Sequence, residues 1–295
     1  MTFTQLEIFA LVAELQGFTA AAMRLGISQS AVSHAIKSLE QELGAPLILR
    51  QQATAEVTEV GQRLLARARE ILGLAEAMRQ EVAAARGLNQ GLLRIGSFGP
   101  TASLKLMPAI LAVFHKRYPG IEVQIDEGGD HDVLQWLLDR RVDIGFVVLP
   151  DERFDTVPLV EDQLVALLPA DHALAERRAI TVNDLADVPY ILGEAGCASL
   201  MQPVFAAHGV SPKVRYRISQ IMTILGMVGS GDGVTVMPEL ALPKDMERAY
   251  PQVALRPFRP AVRRRVGLAL RDLRQASPAA KAFIDTAREV VKTQA

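Results

Sequence analysis

The sequence predicts a multidomain α/β protein: a small helical head, a long linker helix and a larger α/β domain of two lobes. Three observations predict it. A helix-turn-helix pattern stands near the start, a sustained heptad stripe follows, and strand-like and helix-like segments alternate through the rest. At 295 residues the chain is too long for one ordinary core, and two or three domains are expected.

In the head, Thr19 suits the cap of a short helix through Ala20, Ala21, Ala22, Met23, Arg24 and Leu25. Gly26 fits the left-handed residue that ends it. Ile27 is expected to pack between the helices, and Ser28 to cap the second. Val32, Ile36, Leu39 and Leu43 repeat at helical spacing and should face inward. Gln29, Ser33 and Lys37 lie four apart and should face outward, with Ser30 and His34 beside them. Short polar side chains let the start of such a helix press into a DNA major groove. There Gln reads adenine bidentately, and Ser or His reaches other base edges. The charge balance runs the other way. Up to Gln51 the bases are Arg24, Lys37 and Arg50, against the acids Glu7, Glu14, Glu40 and Glu42. A DNA-binding head usually carries a positive footprint, so nonspecific affinity should be modest.

Thr58 is a plausible cap for the long helix, which is expected to reach about Gly87. Val60 starts an apolar stripe, and Leu64, Ala68, Ile71, Ala75, Met78 and Val82 continue it in steps of four and three. That is a heptad seam, expected to pair two copies of the chain. Residues 87–91 (GLNQG) read as a hinge.

Beyond the hinge, residues 92–98, 121–127 and 142–148 read as strands separated by helices at 102–118 and 130–140. That order predicts a parallel sheet with right-handed crossovers. A second lobe is expected over about 162–260, with strands at 164–169, 190–193 and 233–238 and a helix near 199–208. Residues 265–271 return to the first lobe, and a final helix begins at Pro278. Two lobes crossed twice make a periplasmic-binding-protein-like domain. Its ligand belongs beyond the carboxyl ends of the strands. The turn holding Ser97, Thr101 and Ser103 is one such end and suits an anion. Gly128 and Gly129 would admit close approach of a ligand, and Val148 would form a pocket wall. A second nest, holding Cys197 and Ser199, follows a strand and precedes a helix. For Thr101 the competing reading is plain helix capping, and for the two glycines a simple turn.

Residues 3–14 (FTQLEIFALVAE) and 17–47 (GFTAAAMRLGISQSAVSHAIKSLEQELGAPL), then Arg50 and Thr58–Gly61, closely resemble the N-terminal domain of the LysR-type transcriptional regulators. The resemblance implies a winged helix-turn-helix, a dimerising linker helix and a two-lobed effector domain. It implies a homodimer or homotetramer that binds promoter DNA and answers to a small molecule. Arg50 matches the family's wing arginine, although the segment beyond it is neutral and then acidic, and Ile48 and Leu49 replace a usual Phe. Family members place a polar effector contact where Ser219 and Gln220 stand; surface helix capping is the alternative. The setting of Cys197 resembles the reactive cysteine of peroxide-sensing members, but Ala206 occupies the position of their second cysteine.

Other classes find little support. The five histidines show no metal-ligand spacing, and no nucleophile elbow or phosphate loop is present. No cofactor is called for. Arg263, Arg264 and Arg265 read as a solvated lead-in to a strand. No apolar run approaches the ~20 residues of a membrane span, no signal peptide is evident, and one cysteine fits a reducing cytosol. The expectation is a cytoplasmic, non-enzymatic regulator. Its head would span 1–57 and its linker 58–90. Its effector domain would span 91–295, with lobe I at 91–161 and 265–295 and lobe II at 162–264. DNA contacts would come from Ser28, Gln29, Ser30, Ser33, His34, Lys37 and Arg50. The effector would be a small anion or a neutral metabolite. Two rivals remain: a small-molecule binder whose N-terminal segment only oligomerises, and a thiol redox sensor or peroxidase resting on Cys197.

Overall fold

The computed structural model describes residues 1–51, 54–86, 90–193 and 198–294. Helix α1 (Phe3–Leu15) opens with a capping box. Thr2 Oγ1 accepts from Gln5 N at 3.2 Å, and Gln5 Oε1 accepts from Thr2 N at 2.8 Å. Helix α2 (Phe18–Leu25) starts two residues earlier than its hydroxyl predicted: Gly17, not Thr19, is the cap, and it offers no side-chain bond. Gly26 ends α2 at φ 66°, as expected. Ser28 caps α3 (Gln29–Leu43) by accepting from Ala31 N. Val32, Ile36 and Leu39 are fully buried, whereas Leu43, at the helix end, and Ile27, in the turn, are about 40% exposed. Those two expectations of burial fail. Strands β1 (Ile48–Gln51) and β2 (Thr54–Val57) pair antiparallel and form the wing.

Helix α4 (Glu59–Ala85) is the linker. Thr58 caps it through Gly61 N at 2.9 Å and donates to Pro46 O at 2.8 Å. A Cβ on Gly61 would lie 2.3 Å from Leu47 O, so glycine alone lets α4 lie against the wing. Leu65 and Ala68 enter the core of the head. Ala68 therefore leaves the expected seam and packs with Leu65 in the head. The outward stripe is Ile71, Leu74, Met78 and Val82, 37–68% exposed. Farther along, Gln80 is buried; its Nε2 donates to Leu92 O at 2.9 Å and its Oε1 accepts from Ala279 N at 3.1 Å.

The C-terminal domain begins with β3 (Gln90–Phe98), α5 (Met107–Arg117), β4 (Gly120–Gly128), α6 (Asp130–Leu138) and β5 (Ile144–Leu149). Strands β4 and β5 flank β3 in parallel, as the strand–helix alternation predicts. The long β6 (Asp155–Pro169) then leaves for the second lobe. There lie β7 (Pro189–Gly193), α7 (Ala198–Ala207), β8 (Lys213–Ile218), α8 (Ile221–Gly229), β9 (Thr235–Pro238) and the short α9 (Met246–Ala249). The equally long β10 (Val253–Leu270) returns, and α10 (Pro278–Gln294) covers the first lobe. The main sheet runs β4-β3-β5-β10-β6-β9, and β7-β8 form a small second sheet.

Two cores flank the crossing. Phe98, Ile110, Phe114, Phe146 and Phe283 centre the first; Leu164, Tyr190, Phe205 and Phe258 centre part of the second. Strands β6 and β10 pair with each other through both lobes. Residues meeting at their midpoint thus face both cores.

The stripe on α4 generates a first prediction. Leu74→Glu with Met78→Glu should leave folding unchanged, since both side chains are exposed, and should shift the chain toward monomer. Light scattering coupled to gel filtration measures it; an unaltered mass would remove these residues from the interface.

Candidate functional site

The first site is the outer face of α3. Gln29, Ser30, His34 and Lys37 are exposed, and Ser33 is half-buried. Gln29 Nε2 donates to Ser33 Oγ at 3.3 Å, and the Ser28 and Ser30 hydroxyls lie 2.9 Å apart. These contacts hold the side chains close to the helix start while leaving Gln29 Oε1 unengaged among the described residues. The inward Val32, Ile36 and Leu39 fix which way the face points.

The acids of the head are spent elsewhere. Glu40 Oε1 accepts from Leu47 N and Ile48 N at 2.8 and 3.1 Å, clipping the wing to α3. Glu42 pairs with the amino terminus. Glu7 and Glu14 face a cleft shared with α4 and the effector domain. The wing strand carries Arg50, whose side chain falls outside the described residues, as do Gln52 and Ala53 at the tip.

The second site lies where the lobes cross. Arg264 on β10 and Asp162 on β6 are register partners, and both side chains are almost wholly buried. Arg264 Nε and Nη2 donate to Asp162 Oδ2 at 3.0 and 2.8 Å. Nη2 also donates to Thr101 Oγ1 at 2.6 Å, and Asp162 Oδ1 accepts from Leu240 N at 3.1 Å. Arg263 and Arg265 point outward, so only the middle arginine of the run departs from the solvated reading. Thr101 opens a wide helical turn, Thr101–Leu106, that leads into α5. Ser97, fully buried, bonds to Ser103 at 2.9 Å, and Ser103 donates to Glu127 at 2.9 Å.

Asp130 begins α6 beside this group. Its Oδ1 is enclosed by protein and accepts no hydrogen bond among the described residues. Burial raises its carboxyl to about 6, and the Arg264 charge pulls it only partly back.

Two family models match the chain. The model for the bacterial regulatory helix-turn-helix protein of the lysR family covers residues 3–62, and that for the LysR substrate binding domain covers 86–292. The chain belongs to the LysR family. It is therefore a DNA-binding transcriptional regulator with an effector-binding domain. It is 35% identical over 98% of its length, and 99% of the relative's, to the uncharacterized regulator YvbU of Bacillus subtilis. It is 37% identical to the probable regulator LrrA of Synechococcus elongatus, over 98% of this chain and 97% of that one. Among solved structures, a full-length OxyR variant from Pseudomonas aeruginosa superposes with a TM-score of 0.73 at 28% identity, covering 98% of both chains.

The structure gathers Ser97, Thr101 and Ser103 at one place, together with Asp130, Asp162 and Arg264, which sequence reasoning missed. Gly128 has a local reason to be glycine: a Cβ there would lie 2.7 Å from the Trp136 ring. The close neighbour is thus a side chain of the protein. Gly129 caps α6, with its N donating to Asp132 Oδ2 at 2.8 Å. Val148 is half-buried and pairs with Val266. Ser219 and Gln220 are exposed, and Gln220, although at the cap position of α8, makes no side-chain cap bond. Cys197 and the Ser199 side chain lie outside the described residues, as do residues 87–89 of the expected hinge at 87–91, whose Gln90 and Gly91 belong instead to strand β3. Among the described residues, no helix is long and apolar enough to cross a membrane.

Asp130 generates the second prediction. The folded chain keeps this proton up to about pH 6, whereas the unfolded chain releases it near pH 4. The folded state therefore binds more protons in that window, and stability falls as pH rises through it. Asp130→Asn should flatten this slope and raise stability at neutral pH, by up to about 3 kcal/mol. Urea titrations at pH 4, 5, 6 and 7 measure it. An identical pH slope in the variant would mean that Asp130 titrates normally.

Proposed function

We infer that this regulator reads its operator with the start of α3. Gln29, Ser30, Ser33 and His34 face bases, while Ser28, Lys37 and Arg50 approach phosphates. The observation that carries this reading is the outer face of α3, polar and exposed over Gln29, Ser30, His34 and Lys37. A pure oligomerisation module would instead present an apolar face there. The α4 stripe pairs two heads, so that the operator has two-fold symmetric halves, and a dimer or tetramer doubles or quadruples the phosphate contacts. The chain works in the cytoplasm and by binding alone.

The effector sits at the crossing, against Thr101, Ser103 and Asp130. A polar neutral metabolite fits better than a small anion. The buried cation at the crossing, Arg264, already serves Asp162 and Thr101, and Glu127 and Asp130 would repel negative charge. The Thr101 hydroxyl accepts from Arg264 and donates to no group among the described residues. Binding shifts the lobes only through differential affinity for two arrangements.

A footprint on DNA upstream of the protein's own gene would supply an operator. On it, Gln29→Ala should cost about 1–3 kcal/mol and relax base choice at one position. Fluorescence anisotropy against operator and scrambled duplexes reads both effects. If the variant keeps wild-type affinity for each, Gln29 has no reading role.

A further inference from the structure

A cleft of about 370 Å³ opens between the head, the linker helix and lobe I, away from the lobe crossing. That volume lies within the range of small-molecule sites, ~300–1,000 Å³. Glu7 and Glu14 of α1 stand on its exposed rim, α4 forms one wall, and Arg94, Asp143 and Arg271 of lobe I form the other.

The charges in its walls do not cancel pairwise. The acids on α4 and in lobe I are occupied, whereas Glu7 and Glu14 on the rim hold no ion pair among the described residues. Glu70 holds Arg67 and Arg140, and Glu76 holds Arg79, Gln80 and Leu92 N. Asp143 accepts from Arg94 N at 2.8 Å, and Asp272 caps Arg274 N at 2.8 Å. Three guanidinium groups have no carboxylate within 4.0 Å among the described residues: Arg69, Arg94 and Arg271. Arg69 has one bond, to Asp139 O at 3.4 Å, and Arg271 one, to Leu138 O at 3.1 Å. Burial lowers the Arg69 pKa; nearby Asp139 and Glu14 oppose this, while the charges of Arg141 and Arg94 lower it further. A half-buried cation without a carboxylate in contact favours an incoming anion.

The wall of α4 adds an independent observation. Gly73 lies inside this helix, where glycine costs roughly 1 kcal/mol relative to alanine. A Cβ there would meet nothing within 4 Å, and no left-handed φ calls for glycine. Neither packing within this chain nor backbone conformation explains the choice. An unobstructed cleft does, because any side chain at 73 would project into it.

We propose that this cleft is a second ligand site, for a small organic dianion bound by Arg69, Arg94 and Arg271. The dianion bridges lobe I and the linker helix beneath the head. It is a phosphate ester or a dicarboxylate, and the test separates the two. Full-length protein is titrated calorimetrically with glycerol 3-phosphate, malate and inorganic phosphate, at an ionic strength held constant with sodium chloride. The expected result is saturable binding of one organic dianion, weakened at least tenfold by Arg94→Gln and by Arg69→Gln. Gly73→Leu should abolish it while preserving the wild-type mass by light scattering. Thr101→Val, at the lobe crossing, should leave it unchanged. No saturable binding by the wild type would overturn the proposal. So would binding that survives Arg94→Gln, or binding lost in Thr101→Val. Arg94→Gln lies in lobe I, off the linker helix, so it keeps the test decisive if Gly73→Leu disturbs pairing of the helices.

Discussion

The buried pair of Asp162 and Arg264 is the constraint on which the effector domain depends. Taking two charges out of water costs several kcal/mol each, and the pair endures because nearly every polar atom is engaged. Arg264 reaches Thr101 in lobe I, and Asp162 holds the backbone at Leu240 in lobe II. Removing either partner alone would strand a charge, at about 3–5 kcal/mol. Replacing both with apolar residues could leave stability nearly unchanged, so the contribution of the pair is geometric. It ties the two crossing strands to a first-lobe hydroxyl and to the second-lobe backbone at Leu240.

Charge sums over the head mislead, because position decides. Its four acids outnumber its three bases up to Gln51, yet none of the four takes part in the polar face of α3. Glu40 and Glu42 hold the wing and the amino terminus, and Glu7 and Glu14 turn toward α4. The field at the start of α3 therefore comes from its own unsatisfied N–H groups, which favour phosphate.

Much of this was legible beforehand. Helical spacing located Val32, Ile36 and Leu39, Gly26 ended α2, and the strand–helix alternation placed β3, β4 and β5. The errors have physical causes. A hydroxyl favours Thr19 as a cap, but the backbone turns at Gly17 and leaves Thr19 inside the helix. Ala68 fits a heptad seam and the head's core equally well, and only tertiary packing chooses between them. Arg264 was hidden by its neighbours. Read by composition, three arginines make a solvated run. Read at the strand period of two, the middle one shares a face with Val266. Asp130 carries no sequence signal at all, since its burial arises from elements far away in the chain. The hydroxyls of the first turn looked open for the same reason: the partner of Thr101 lies 163 residues away.

Strands β6 and β10 have a mechanical consequence. They form a continuous two-stranded ribbon, and their pairing register slips between Pro257 and Val262 and again between Val266 and Gly267. Irregularities of this kind concentrate bending and right-handed twist. The Arg264–Asp162 rung lies between the two slips, so the ribbon behaves as a torsion bar clamped at its middle. Sliding one lobe past the other would break ladder hydrogen bonds, whereas rotation about the bar would spare them. A ligand at the clamp would therefore deliver torque, and the lobes would turn rather than shear.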